Sequence, residues 1–300
     1  MAGTQDLVED PRNATVLVWV NGELRRRAEA TVSVFDGGYI AGDGVWEGLR
    51  LVRGRWLQLE KHLDRLFAGA AMIQLIVPGG REAVVSALEA TRQANGMEDG
   101  AHARLMVTRG LKTTPGADPR MVTGGATMVI TMEHKVPPPA LGSAGLALMT
   151  STYRVTRPDQ FDMRLNTHSR MPYILALQQA YNNGADEALM LDDDGHVASC
   201  NSTNFFFVVN GVVMTSTGEN CFNGITRETV IELCGAETIP LKLGNFSLLH
   251  VMGAEEAFVT GTAPGIAAVR SIDGRVLGAV PGPLTQRITA AYRERVGMGA

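Results

Sequence analysis

Residues 169–215 read SRMPYILALQQAYNNGADEALMLDDDGHVASCNSTNFFFVVNGVVMT. The stretch predicts one helix and then a run of strands. Met171–Asn183 is the helix. Ser169 can cap its start, Pro172 suits its first turn, and Gly184 suits the left-handed position after its last. Glu187–Leu191 and Phe205–Val209 are strands, and Asn210-Gly211 turns the second into Val212–Thr215.

Downstream, Thr226 caps a short helix over Arg227–Cys234. Strands follow at Glu256–Thr260 and Ile266–Arg270, Asp273-Gly274 turns a last hairpin, and a helix over Leu284–Arg295 follows. Upstream, His134–Gly145 holds three consecutive prolines, which cannot continue a helix or a central strand. The expected division is a small N-terminal domain over 1–134, a linker over 135–145 and a larger C-terminal domain over 146–300. The N-terminal part alternates strand and helix signals. Thr15–Val20 is a strand closed by Asn21-Gly22, and Thr31–Phe35 is a second. Gly48–Val52 and Trp56–Leu59 flank the Arg53-Gly54 turn. Helices span Leu59–Leu75 and Arg81–Asn95, and His102–Thr108 pairs with Ala126–Met132. These signals predict an α+β fold with a mostly antiparallel sheet in this part.

The chain has 300 residues, 45% of them hydrophobic and 19% charged, which fits a folded globular protein rather than a disordered one. A net charge of −4 gives no reason to expect nucleic acid or an anionic membrane as partner. No apolar run has the length of a membrane span, and the polar N-terminus is not expected to be a signal peptide. Cys200, Cys221 and Cys234 lack CxxC spacing and read as reduced thiols, which points to the cytoplasm. The histidines show no metal-ligand spacing, so no metal is expected.

Six blocks in fixed order carry a family resemblance. They are Asp36-Gly37-Gly38-Tyr39 with Gly42–Glu47; His62–Leu66; Thr108-Arg109-Gly110; Gly184–Ala188 with Asp194-Gly195 and Asn204–Phe206; Gly224–Arg227; and Glu255–Phe258 with Gly261–Ala263. In this order they resemble the class IV aminotransferases, the fold-type IV enzymes of pyridoxal phosphate (PLP). Branched-chain and D-amino-acid aminotransferases and aminodeoxychorismate lyase are similar. The resemblance implies a D-amino-acid aminotransferase-like α+β fold, a homodimer, and a small amino or keto acid as substrate.

A cofactor phosphate needs backbone donors and a cation. Gly224-Ile225-Thr226 leads into a helix, whose first turn offers free N–H groups and a positive dipole end. Thr226 and Thr262 add hydroxyls, and Arg65 carries a guanidinium suited to a bidentate clamp. The resemblance implies that Arg65, Ile225, Thr226 and Thr262 hold the phosphate. Singly, Thr226 also reads as only a helix cap and Arg65 as only a surface charge. Tyr39 and Arg104 match positions that line the substrate side. Arg104 is either a carboxylate-binding residue or one half of a strand-face ion pair.

Two residues depart from the pattern. The family's cofactor-anchoring lysine falls eighteen residues before the glycine that ends the next helix. Counting back from Gly184 lands on Asn166, in Arg164-Leu165-Asn166-Thr167-His168-Ser169-Arg170. A carboxamide forms no Schiff base and is no base at neutral pH. The family's glutamate against the pyridine nitrogen falls four residues after the Asp-Gly turn, which here is Ser199. A serine hydrogen-bonds a neutral ring nitrogen but does not stabilise a charged one. Among Lys61, Lys112, Lys135 and Lys242, only Lys112 is placed to substitute; it also reads as a solvated loop lysine. His168 is a candidate general base or a loop histidine packed near Ser169. Cys200 is a core filler or a reactive thiol.

Three functions follow. One is a diverged enzyme that binds PLP, its amine form PMP or another phosphate ligand without a covalent link, and performs proton transfer, lysis, isomerisation or imine hydrolysis. The second is a conventional transaminase using Lys112. The third is a non-catalytic ligand-binding protein.

Overall fold

The computed structural model describes residues 3–4, 8–135 and 140–299. The three prolines of the expected linker, Pro137 to Pro139, lie outside the described residues. The chain forms two compact units. One comprises Glu9–Val136 with Leu165–Arg170, and the other comprises Met1–Val8, Pro137–Arg164 and Met171–Ala300. The segment Leu165–Arg170, which the sequence reading assigns to the C-terminal domain, therefore groups with the N-terminal unit.

The N-terminal unit contains β1 (Leu17–Val20), β2 (Glu23–Arg26), α1 (Gly37–Ala41), β3 (Gly44–Val52), β4 (Arg55–Trp56), α2 (Leu59–Met72), α3 (Gly80–Ala94), β5 (Ala101–Thr108) and β6 (Thr127–His134). Its six strands form one antiparallel sheet in the order β2-β1-β6-β5-β3-β4. Alternation puts Val45, Leu49 and Leu51 of β3 and Ala101, Ala103, Leu105 and Val107 of β5 on one face, where they join Leu63 and Leu66 of α2 and Leu88 of α3 in a single core. Thr31–Phe35 is not a strand. The Asn21-Gly22 turn returns the chain at once, so β2 takes the place beside β1. Val32, Val34 and Phe35 stay exposed. Their apolar character belongs to the surface rather than to a sheet.

Leu165–Arg170 lies along the free edge of β3. Thr167 bridges Val45, Trp46 donates its N–H to the Asn166 carbonyl at 3.0 Å, and His168 donates to the Gly44 carbonyl at 3.1 Å. Edge N–H and C=O groups of a buried strand need such partners.

The C-terminal unit contains α4 (Ala140–Ser143), β7 (Leu146–Arg154), α5 (Met171–Asn182), β8 (Glu187–Leu191), β9 (Val197–Cys200), β10 (Asn204–Val209), β11 (Val212–Thr215), α6 (Ile225–Ala236), β12 (Leu241–Leu243), α7 (Leu248–Met252), β13 (Glu256–Gly261), β14 (Gly265–Ile272), β15 (Arg275–Val276) and α8 (Pro283–Arg295). Its sheet runs β12-β11-β10-β13-β14-β7-β8-β9, with β15 paired to β14. Three of its pairings are parallel: β11–β12, β14–β7 and β7–β8. Two apolar clusters flank β10, led by Phe205 and Phe207 in one and Phe206 and Phe258 in the other. Together the units are α+β. No helix among the described residues is long and apolar enough to cross a membrane.

Candidate active site

Glu47 is the one charge in the apolar stripe of β3, and it is 0% exposed. A buried carboxylate persists only if hydrogen-bonded and paired. Helix α2 supplies both conditions. Arg65 donates Nε to Oε1 and Nη2 to Oε2, each at 2.7 Å, in a bidentate fork. His62 contacts Oε2 through Nδ1 at 2.7 Å. Burial pushes the Glu47 pKa up, but the hydrogen bonds from Arg65 and His62 outweigh it and hold the group below its ordinary value. The spacing of His62 and Arg65, three apart on α2, puts both on one helix face toward β3.

Asn166 completes this cluster. Its Nδ2 donates to Glu47 Oε1 at 3.3 Å and to the main-chain carbonyl of Trp46. The residue is 5% exposed. The sequence singles out Asn166 and Arg65 but not Glu47 or His62. The signal was available: an acidic residue in register with buried Val45, Leu49 and Leu51 requires partners on the helix that covers it. Two of the three guanidinium nitrogens of Arg65 are engaged with Glu47.

His168 flanks the Thr167 bridge on its other side. Its Nε2 lies 3.3 Å from the Val45 carbonyl. A carbonyl only accepts, so Nε2 carries the proton and Nδ1 holds the basic lone pair. Burial first, and the nearby Arg104 charge second, lower its pKa, so the ring is neutral at pH 7. Arg104, on β5 opposite Gly48, stacks its guanidinium 3.8 Å from the Trp46 ring centroid, and Arg170 lies 5.9 Å from the same ring. Burial and then Arg170 depress the Arg104 pKa. No ion pair holds Arg104 among the described residues, so the strand-face pairing weighed from the sequence is absent. Tyr39, on α1, is 73% exposed.

Lys112 is not the solvated loop lysine expected. It is 3% exposed, and its Nζ donates to the carbonyls of Gly116 at 2.7 Å and Asp118 at 3.3 Å. Its own loop supplies these acceptors.

In the C-terminal unit, α6 begins at Ile225 with Gly224 as N-cap and no side-chain cap. This corrects the assignment of Thr226 as the cap: Thr226 lies inside the first turn, 6% exposed. The main-chain donors of that turn are left for another acceptor. Asn204 fixes the preceding loop, accepting the Gly224 N–H at 3.1 Å and donating to the Phe222 carbonyl at 2.7 Å. Asn204 also pairs with Thr260 across β10 and β13, and β13 runs into the turn that carries Thr262. The register thus brings the start of α6 and the Gly261-Thr262-Ala263 turn to the same end of the sheet. Ser199, on β9 beside Met190, is 2% exposed, and its Oγ has no hydrogen-bond partner among the described residues. The Thr260 hydroxyl is likewise sealed and unpartnered. Buried orphan hydroxyls are rare and call for an explanation. A ring nitrogen that accepts from Ser199, and an anion on the uncapped turn, fit these groups, so the residues present suit a phosphorylated pyridine cofactor. Cys200 is 1% exposed, and burial pushes its thiol pKa well up, which leaves it protonated and unreactive. No cluster of metal-ligating side chains occurs among the described residues.

Residues 44–272 match the family model for amino-transferase class IV. The chain is 40% identical to the branched-chain-amino-acid aminotransferase-like protein 1 of Arabidopsis thaliana over 95% of its own length and 51% of that protein. It therefore spans about half the length of this curated relative. It is 34% identical to the putative branched-chain-amino-acid aminotransferase of Methanocaldococcus jannaschii, over 92% of this chain and 95% of that one. Among solved structures, the branched-chain aminotransferase of the thermophilic archaeon Thermoproteus uzoniensis, with norvaline, superposes with a TM-score of 0.84 at 31% identity, covering 94% of this chain and 95% of that one.

Proposed function

This chain belongs to the class IV amino-transferase family, and from that premise we propose that it is a diverged member that binds PLP or PMP without a covalent bond and acts on a small amino or keto acid. The Asn166 carboxamide carries the reading. It occupies the anchoring position of the family pattern, its amide is locked to Glu47 and Trp46, and it offers no nucleophilic nitrogen. Lys112 is a poor substitute, because withdrawing Nζ from the Gly116 and Asp118 carbonyls strips a buried ammonium of its acceptors.

When bound, the cofactor supplies an electron-accepting ring for chemistry at the Cα of an amino acid. Ile225, Thr226 and Thr262 hold its phosphate through main-chain and hydroxyl donors. Ser199 donates to its ring nitrogen, which keeps that nitrogen neutral and the ring a weaker acceptor than in relatives with a glutamate there. Arg104, stacked on Trp46, binds the substrate carboxylate, and Tyr39 borders the same side. His168, neutral with Nδ1 unprotonated, moves the proton. Such a set supports proton transfer, lysis, isomerisation or imine hydrolysis in place of amino-group exchange. The exposed apolar residues Val32, Val34, Phe35, Leu111 and Met121 support a homodimer that covers them.

The test is to mix the pure protein with PLP, reduce with borohydride, and map any adduct. Retained cofactor with no adduct on the chain is expected. A stoichiometric adduct on Lys112 or any other lysine returns the protein to ordinary transamination.

A further inference from the structure

Asn166 has its amide orientation fixed by what surrounds it. Nδ2 reaches two atoms, the main-chain carbonyl oxygen of Trp46 and Oε1 of Glu47. A carbonyl oxygen only accepts. Glu47 accepts as well, since its two oxygens already take Nε and Nη2 of Arg65 and Nδ1 of His62. Flipping the carboxamide would set oxygen against two oxygens and cost both bonds. The flip is therefore excluded by chemistry. Oδ1 is the remaining polar atom of the side chain, and no described residue donates to it.

We infer that residue 166 presents a hydrogen-bond acceptor where relatives present an amine, and that the site thereby selects the amine form of the cofactor, pyridoxamine 5'-phosphate, over the aldehyde. The inference rests on the proposal that Asn166 stands at the anchoring position and deepens it. The substituent on C4' decides the preference. A protonated primary amine brings N–H donors and a positive charge to Oδ1, making a charge-assisted bond. An aldehyde brings only an acceptor oxygen, which meets another acceptor. A hydroxymethyl group, as in pyridoxine 5'-phosphate, donates one neutral hydrogen bond and falls between. Relatives with lysine have the opposite preference built in, because an amine there captures an aldehyde.

Equilibrium dialysis of the wild-type protein against the three phosphates tests this, with borohydride-trapped surface adducts subtracted from the aldehyde total. The expected order is pyridoxamine, then pyridoxine, then pyridoxal phosphate, with at least roughly tenfold between the first and the last. Asn166→Ala should shrink that ratio to within about twofold, because both forms then face no acceptor. Equal affinities in the wild type, or tighter aldehyde binding, would overturn the inference while leaving the non-covalent site intact. A ratio that survives Asn166→Ala would overturn it too. Failure of all three ligands to bind would instead sink the proposal of a B6-phosphate site on which it stands.

Discussion

Replacing Arg65 with Met should destabilise the N-terminal unit by about 3 kcal/mol at pH 7. The change removes two hydrogen bonds of 2.7 Å and the paired guanidinium from a carboxylate that is 0% exposed. Breaking a buried pair from one side costs about 3–5 kcal/mol, because the remaining charge is left uncompensated. The lower end applies here, since the Arg65 side chain is 18% exposed and His62 and Asn166 still donate to Glu47. The assay is built into the sequence. Trp19, Trp46 and Trp56 are the only tryptophans, and all lie within Glu9–Val136, so their fluorescence reports this unit alone. With a urea m-value of about 2 kcal/mol/M, the midpoint should fall by about 1.5 M. The deficit should also depend on pH. In the wild type Arg65 and His62 hold Glu47 below its ordinary pKa, so its stabilisation is present above the unfolded value and is lost as pH falls through the folded one. In the variant burial dominates and the folded pKa rises above the unfolded value, so the variant regains stability as pH falls. A loss under about 1 kcal/mol at pH 7, or one that is unchanged at pH 5, would refute the account of Glu47 as a buried ionised group.

Three further outcomes are expected. Burial raises Glu187 to about 7 against its hydrogen bonds from Thr203 and Ser202, so this group's contribution is full below the unfolded value of 4.5 and is lost as pH rises toward 7; Glu187→Gln should recover up to about 3 kcal/mol at pH 8 and little at pH 4, read by chemical denaturation. Gly110 has φ +88°, and a Cβ there would run into the Gly125 main-chain oxygen, so Gly110→Ala should cost more than about 2 kcal/mol, visible as a lowered Tm. Asn166→Lys with Ser199→Glu should produce a borohydride-trappable adduct at position 166 when PLP is added, and mass spectrometry of the peptide checks it; absence of the adduct would mean that more than these two side chains separates this pocket from its relatives.

Much of the fold was legible because local rules agreed with the tertiary outcome. Asn21-Gly22 and Asn210-Gly211 made the hairpins they signal, and α3 ended before Gly96 as read. Errors arose where apolar residues serve the surface, as at Val32–Phe35, or where a cap is a main-chain matter, as at Gly224. Short strands such as β9 and β12 carried too few residues for a period-2 signal. At the site, residue identity singled out Asn166 and Ser199 from their place in the family pattern. Partners did not follow from order along the chain. That Arg65 faces Glu47, eighteen residues away, and that Lys112 folds back on its own loop, are consequences of packing.

The strip that closes the β3 edge is synthesised about thirty residues after the unit it completes. A nascent chain released only to residue 136 has a sheet with Gly44 to Trp46 unpaired on one side and Glu47 missing a donor. The N-terminal unit thus cannot reach its final form at the ribosome exit until the beginning of the C-terminal half has emerged. Fragments cut in the linker should be poorly soluble on their own, and adding a peptide that spans 165–170 in trans is the remedy the architecture prescribes.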